Sequence, residues 1–272
     1  MKETKLIIVT GMSGVGKSST SQNIARLYER NGIEYYWYHE EMKNHPIRWA
    51  NGGEFRIGSL YTEEGMQKNI EDIYERWKNF IDYILSAGGV HIMEGCLFQN
   101  IIRYFFTGNY PREKIIVYYD ELMKILEKAN PHIIFLYRPD VKANLERAFK
   151  VRGEKWKKLI LDPEGVAYFE THKYSGDESI FSMWKDYQNL SCEIFERFTV
   201  KKLKIDTSDE EWESYLKEIA SFLNINIKYY KKEIPEINAL EKYCGTFTDG
   251  IYEVKVILEN NTLYYSPPCL PI

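Results

Sequence analysis

The sequence predicts an α/β fold: a five-stranded parallel sheet flanked by helices, with a small β-rich C-terminal extension. Three observations carry this. Short apolar runs of strand length alternate with amphipathic helical patterns, the arrangement of a parallel sheet wrapped by helices. A glycine-rich segment links the first apolar run to the first helical run. After Leu223 the pattern turns to Asn, Lys, Glu and Pro235, and then to short β-prone stretches.

The elements follow in order. Strands are predicted at Lys5–Thr10, Glu34–Tyr38, Val90–Met93, His132–Tyr137 and Leu203–Asp206. The first helix runs from Ser18 to Arg30. Residues 64–86 place Ile70, Ile73, Tyr74, Trp77, Phe80, Ile81 and Ile84 on one stripe, which marks a core-facing helix. Residues 140–151 and 208–223 read as helices, with Asp140 and Ser208 as N-caps. Residues 113–129 have two readings. Ile115, Tyr119, Leu122, Ile125 and Leu126 fit helical spacing, with Pro131 as the stop. Alternatively, Ile115–Glu121 is an hhhhDE strand whose Asp120 and Glu121 serve a water-activating ATPase. Domain bounds are predicted at 1–226 and 227–272. Within the second part, 251–258 and 262–265 flank Glu259-Asn260-Asn261 as a hairpin.

Bulk properties narrow the function classes. The chain has 272 residues, 44% hydrophobic and 28% charged, and a net charge of −4. It carries no strong basic surface for nonspecific nucleic-acid binding. Cys96, Cys192, Cys244 and Cys269 are far apart with no CxxC pair, so free thiols in a reducing compartment are expected. The apolar runs are too short for a membrane span and no secretory signal is visible. A cytoplasmic protein is expected, with a small-molecule partner and neither nucleic acid nor membrane. Monomer and homodimer both stay open.

Residues 11–18, Gly-Met-Ser-Gly-Val-Gly-Lys-Ser, match G-x-x-x-x-G-K-[ST] between a strand and a helix. Glycines let successive N–H groups turn toward one phosphate, and the helix that follows adds its positive end. The predicted nucleotide contacts are Gly11, Ser13, Gly14, Val15, Gly16, Lys17, Ser18 and Ser19. Lys17 reaches the β- and γ-phosphates of ATP, and the Ser18 hydroxyl holds Mg²⁺. The fold is therefore expected to be that of phosphate-loop NTPases.

Three further segments end strands or open helices. His39-Glu40-Glu41 ends the second strand, where ligands sit in open parallel sheets. Glu40 or Glu41 can accept the acceptor's proton. Arg48, Trp49 and Arg56 could line an acceptor pocket. Glu94 ends the third strand, where an acid can share the Mg²⁺ shell with Ser18, within about 8 Å of it. Gln99 and Arg103 follow as candidate acceptor contacts, though a solvent-facing amide is the simpler reading of Gln99. Arg147 and Arg152 lie on the predicted fourth-strand helix, before Gly153. Either could close over the γ-phosphate.

Together these residues resemble the thymidylate kinase and deoxynucleoside kinase group of phosphate-loop kinases over roughly residues 1–226. The match rests on the loop Gly11–Ser18, the acid at Glu40 or Glu41, the acid Glu94, the lid-like Leu145–Gly153 and the closing Leu203–Thr207. Gly95 stands where that family carries an arginine. The resemblance implies γ-phosphoryl transfer from ATP, with Mg²⁺, to a nucleoside or nucleotide. Kinases of antibiotics or other small alcohols share the same elements. The extension weakly resembles small β modules appended to bacterial enzymes, through Tyr243–Phe247 and Leu263–Tyr265.

Overall fold

The computed structural model describes residues 4–48, 61–161, 166–172, 177–228, 240–248, 253–259 and 262–265. Two compact units divide the chain, Met1–Lys228 and Tyr229–Ile272.

The first unit is built on β1 (Leu6–Thr10), β2 (Tyr35–Tyr38), β3 (Val90–Glu94), β4 (His132–Tyr137) and β5 (Lys201–Asp206). They form one parallel sheet in the order β2-β3-β1-β4-β5. This is the predicted phosphate-loop NTPase fold. All five residues of β1 are buried, as expected for the centre of a sheet covered on both faces. The chain leaves β1 for β2 on one side and later crosses to β4 on the other. The carboxyl end of β1 is thus the switch point, where a crevice opens.

Helix α1 (Lys17–Arg30) follows the loop. Helix α2 (Glu63–Ser86) starts at Thr62, whose hydroxyl accepts from the Gly65 N–H at 3.1 Å. Its stripe Met66, Ile70, Ile73, Trp77, Phe80, Ile81 and Ile84 is buried, each large side chain contributing about 1.5–3 kcal/mol. Helix α3 is Gln99–Thr107 and α4 is Arg112–Leu126. Helix α4 settles the two readings of that segment. Ile115, Tyr118, Tyr119, Leu122 and Leu126 face the core, while Asp120 pairs with Arg197 at 2.6 Å and Glu121 with Lys124 at 2.5 Å on the outside. The strand reading with Asp120 and Glu121 as a water-activating pair is therefore wrong. Helical periodicity outweighed the β-prone Ile-Ile-Val-Tyr-Tyr run.

Helix α5 (Val141–Leu161) outlasts its predicted end and is broken at Gly153, with φ 81 and ψ 178. Asp140 caps it, its Oδ1 accepting from the Ala143 N–H at 2.9 Å. A short α6 (Tyr168–Thr171) precedes α7 (Asp177–Arg197), and α8 (Trp212–Leu223) closes the unit. Ser208 does not cap α8. It lies in a turn where Asp206 Oδ1 accepts its N–H, and three residues separate it from Trp212. Local side-chain to backbone bonding won that segment for a loop.

The second unit contains a 3₁₀ turn at Glu241–Tyr243 and the antiparallel strands β6 (Gly245–Thr248), β7 (Glu253–Glu259) and β8 (Thr262–Tyr265). Strands β7 and β8 pair as the predicted hairpin does. Asn260 and Asn261 of its turn lie outside the described residues. Among the described cysteines, Cys96, Cys192 and Cys244 are free. No helix among the described residues is long and apolar enough to cross a membrane.

Candidate functional site

The loop after β1 is shaped by what takes its carbonyls. Met12 O accepts from Lys17 Nζ at 3.1 Å, Ser13 O from Asn144 Nδ2 at 2.9 Å, Gly14 O from Arg147 Nη2, and Val15 O from Thr207 Oγ1 at 3.2 Å. Because C=O and N–H point opposite ways in a trans peptide, fixing these carbonyls also fixes the direction of the N–H groups of residues 13–16. Gly16 then enters α1 with φ 95, and a Cβ there would run into the Trp212 ring. No side chain caps α1, so its first N–H groups stay available to an anion.

Lys17 is buried, at 6% exposure. Burial pushes its pKa below the ordinary lysine value and Arg152 pushes the same way, while Glu40 and Glu94 oppose them. A buried ammonium between two carboxylates is placed to meet a polyphosphate.

Ser18 Oγ donates directly to Glu94 Oε1, so the two predicted metal ligands are side by side. Glu94 is 2% exposed, and its Oε2 is buried with no hydrogen-bond partner. His39 Nε2 stands 3.5 Å from that oxygen. His39 Nδ1 accepts the Glu41 N–H at 3.0 Å, which leaves the ring hydrogen at Nε2 in the neutral form. His39 Nε2 thus faces Glu94 Oε2 without a hydrogen bond to it. A hydroxyl and an unsatisfied buried carboxylate are hard oxygen donors, and they fit Mg²⁺. Among the described residues no group of three or more His, Cys, Asp and Glu forms a closed metal cage. Phosphate oxygens and water would complete such a shell, as Mg²⁺ prefers.

The two candidate acids after β2 separate. Glu40 is buried at 7% exposure, with Asn100 Nδ2 donating to its Oε1 at 3.1 Å. The Glu41 side chain is half-exposed and pairs with Arg48 at 3.1 Å. Arg48 also donates to Glu40 O at 2.8 Å. Burial disfavours the Arg48 charge, but Glu41 and Glu40 outweigh it and raise its pKa. The segment is anchored by His45. Its Nδ1 accepts the N–H groups of Ile47 and Arg48 at 3.1 and 3.0 Å, and its Nε2 meets Cys96 Sγ at 3.6 Å. Burial, helped by Arg48 and His39, lowers the His45 pKa to about 4. Burial pushes the Cys96 thiol up, with Glu40 adding to it, so Cys96 packs as a thiol.

Gln99 does not face solvent. Its Nε2 lies 3.5 Å from Ser13 Oγ and its Oε1 is buried. Arg103 sits with Tyr104 on α3. Burial raises the Tyr104 pKa, against the pull of Arg48 and Arg103. Trp49 and Arg56 lie outside the described residues.

The two arginines of α5 part company. Arg147 binds Gly14 O and Glu210 Oε1, the latter at 2.6 Å. Arg138 joins the same Glu210 oxygen at 2.9 Å. Arg138 and then Arg147 hold the Glu210 pKa down. Among the described residues Arg152 has no such partner; its guanidinium lies over the Trp156 ring, 4.8 Å from the centroid.

Sequence reading missed Asn100, Arg138, Asn144, Thr207, Glu210 and Trp212. Asn144 was within reach, because it precedes Arg147 by one helical turn and so shares its face. Thr207 stands at the carboxyl end of β5, a position that signals the crevice. Arg138 holds the same position after β4, whereas Asn100 and Glu210 carry no local signal.

No protein-family model matches the chain, and no curated protein matches it. Among solved structures it is similar to YorR protein from Bacillus subtilis in complex with phosphorylated GDP, at 14% identity, 80% of this chain, 95% of that one and a TM-score of 0.41. It is similar to shikimate kinase from Acinetobacter baumannii in complex with shikimate, at 14% identity, 81% and 93% coverage and a TM-score of 0.41. A gluconokinase from Sinorhizobium meliloti 1021 gives 14% identity, 82% and 94% coverage and a TM-score of 0.36. Likeness at this level says nothing about the acceptor.

Proposed function

We propose that the chain is an ATP-dependent kinase that transfers the γ-phosphoryl group to a small-molecule acceptor, with a nucleoside or nucleotide as the leading class. One observation carries the reading. Glu40 is a buried carboxylate on the acceptor side of the crevice, held by Asn100 and close enough to Lys17 to act on its charge. The rival water-activating pair, Asp120 and Glu121, sits on the outer face of α4, where it pairs with Arg197 and Lys124.

The residues divide the work. Inward N–H groups of residues 13–18 and Lys17 bind the β- and γ-phosphates. Glu40 accepts the hydroxyl proton of the acceptor as the phosphoryl group moves. Arg152, the lid arginine not engaged by the loop, meets charge developing on the γ-phosphoryl oxygens. Arg147 holds the loop in shape. Arg48, Gln99 and Arg103 border the acceptor. Ser18 and Glu94 would hold Mg²⁺, which supplies charge neutralisation on the phosphate oxygens. The catalytic domain in this reading is residues 1–226, with the extension outside the chemistry. Localisation in the cytoplasm and action as a monomer or homodimer belong to the same proposal.

The test is a screen of nucleosides, nucleotides and aminated or polyhydroxylated antibiotics for acceptor-dependent ADP release. An acceptor that gains phosphate and raises the rate supports the proposal. ATP hydrolysis at full rate without any acceptor, unaffected by Glu40→Gln, defeats it.

A further inference from the structure

Arg152 is the one α5 arginine left to act, yet a long side chain on a helix surface samples many directions. Among the described residues Arg152 makes no hydrogen bond or ion pair, and its recorded contact is the face of Trp156. We infer that Trp156 is a positioning residue, the platform that aims the Arg152 guanidinium at the triphosphate. The inference rests on the kinase reading above.

The local geometry explains how the platform is made. Gly153, at φ 81 and ψ 178, adopts a backbone that only glycine tolerates, and nothing lies within 4 Å of where its Cβ would stand. Packing therefore does not demand glycine at 153; the chain direction does. The break lets helix resume with Trp156 turned inward. Trp156 is 7% exposed, and its ring lies 5.6 Å from that of Phe149 on the preceding stretch of α5. The ring is thus held among buried side chains beside Phe149 while the cation lies over it.

A cation–π contact spends none of the guanidinium's N–H donors on a hydrogen-bond acceptor, so they remain for a bidentate phosphate contact. The charge is also within range of the loop, since Arg152 is among the groups that push down the Lys17 pKa. A hydrogen-bonded partner such as a carboxylate would have aimed Arg152 equally well but occupied its donors. The aromatic face orients it without competing with the ligand.

The readout is the ratio of Mg-ATP to Mg-ADP affinity by calorimetry, because only ATP presents a γ-phosphate. Arg152→Ala is expected to lower the ATP preference about tenfold. Trp156→Leu keeps apolar bulk against Phe149 but removes the π face. It is expected to lower the preference about threefold, with ADP binding unchanged. Trp156→Phe is expected to restore most of it. In an Arg152→Ala background Trp156→Leu should add nothing. If the leucine variant does not fold, Trp156→Met repeats the measurement. The inference is overturned if the ratio is unchanged in the folded leucine or methionine variant, if the loss is the same with and without Arg152, or if Arg152→Ala itself leaves the ratio intact. Because ATP binding alone is read, absence of an acceptor in the kinase screen would defeat the proposed reaction without touching this result.

Discussion

The phosphate loop and the proposed acceptor wall lie at the same carboxyl edge of the sheet but are built on different terms. The loop is a contiguous stretch whose carbonyls Met12 to Val15 are each taken by a side chain, three of them from distant elements. Its binding groups are backbone amides. The acceptor wall has no contiguous motif: Glu40 follows β2, Asn100 lies on α3, and His45 and Cys96 clip the two together. Its binding groups are side chains. The comparison teaches that a site made of backbone announces itself in sequence, whereas a site made of side chains is assembled only by packing.

The sharpest break on the loop side is Lys17→Ala. Turnover should fall by on the order of 10³-fold, with ATP affinity sharply weakened. The fold should stay intact, with the melting point lowered because buried Glu40 and Glu94 lose the ammonium near them. ATP titration and a melting curve check both, and parental ATP binding and turnover would refute the triphosphate site.

On the acceptor side, Glu40→Gln should lower acceptor-dependent turnover by about 10²-fold while leaving ATP affinity near parental. Glu41→Gln, on an exposed pair with Arg48, should stay within about twofold. Equal losses in the two variants would erase the distinction between the buried and the exposed acid.

A pH series separates the wall from the scaffold. His45 anchors the wall, and His132 sits at the amino end of β4; burial lowers the pKa of each to about 4. An unfolded histidine takes a proton near pH 6.5 while the folded one does not. Stability should therefore fall as pH drops from about 6.5 toward 4, by up to about 1.4 kcal/mol per pH unit for each histidine. Urea midpoints should show the slope, and His45→Gln or His132→Gln should flatten it. Only acidification that protonates His45 should also weaken acceptor binding.

The smallest effect is on loop support. Thr207→Val removes the donor to Val15 O and should cost about 1–2 kcal/mol in urea unfolding. Weaker ATP binding should accompany it. Unchanged stability would mean that Val15 O does not depend on Thr207.

Much of the fold was legible. The five strands were placed to within two residues; the central ones, such as β4, read as bare apolar runs because they are buried on both faces, as in Ile133–Leu136. The α2 stripe was read but for Met66, with Tyr74 only partly buried, because periodicity over a long helix averages out noise. Ser208 was misread because an Asp-Thr-Ser-Asp stretch offers several competing caps, and Asp206 won the Ser208 N–H. Helix α7 carries a buried Trp184, Tyr187, Leu190 and Ile194, but its segment was not read as an element.

The sequence by itself determined the parallel sheet, the loop and the identity of Lys17, Ser18 and Glu94 as a cluster. Strand order and local backbone geometry force those residues to the carboxyl edge. Tertiary structure alone decided which acid is buried, which arginine is engaged and what steadies the other. Glu40 and Glu41 are neighbours in the chain and differ only in what packs over them. Arg147 and Arg152 share a helix, and the loop carbonyl of Gly14 with Glu210 claims the first. Burial and pairing are properties of residues far apart in sequence, and no local pattern encodes them.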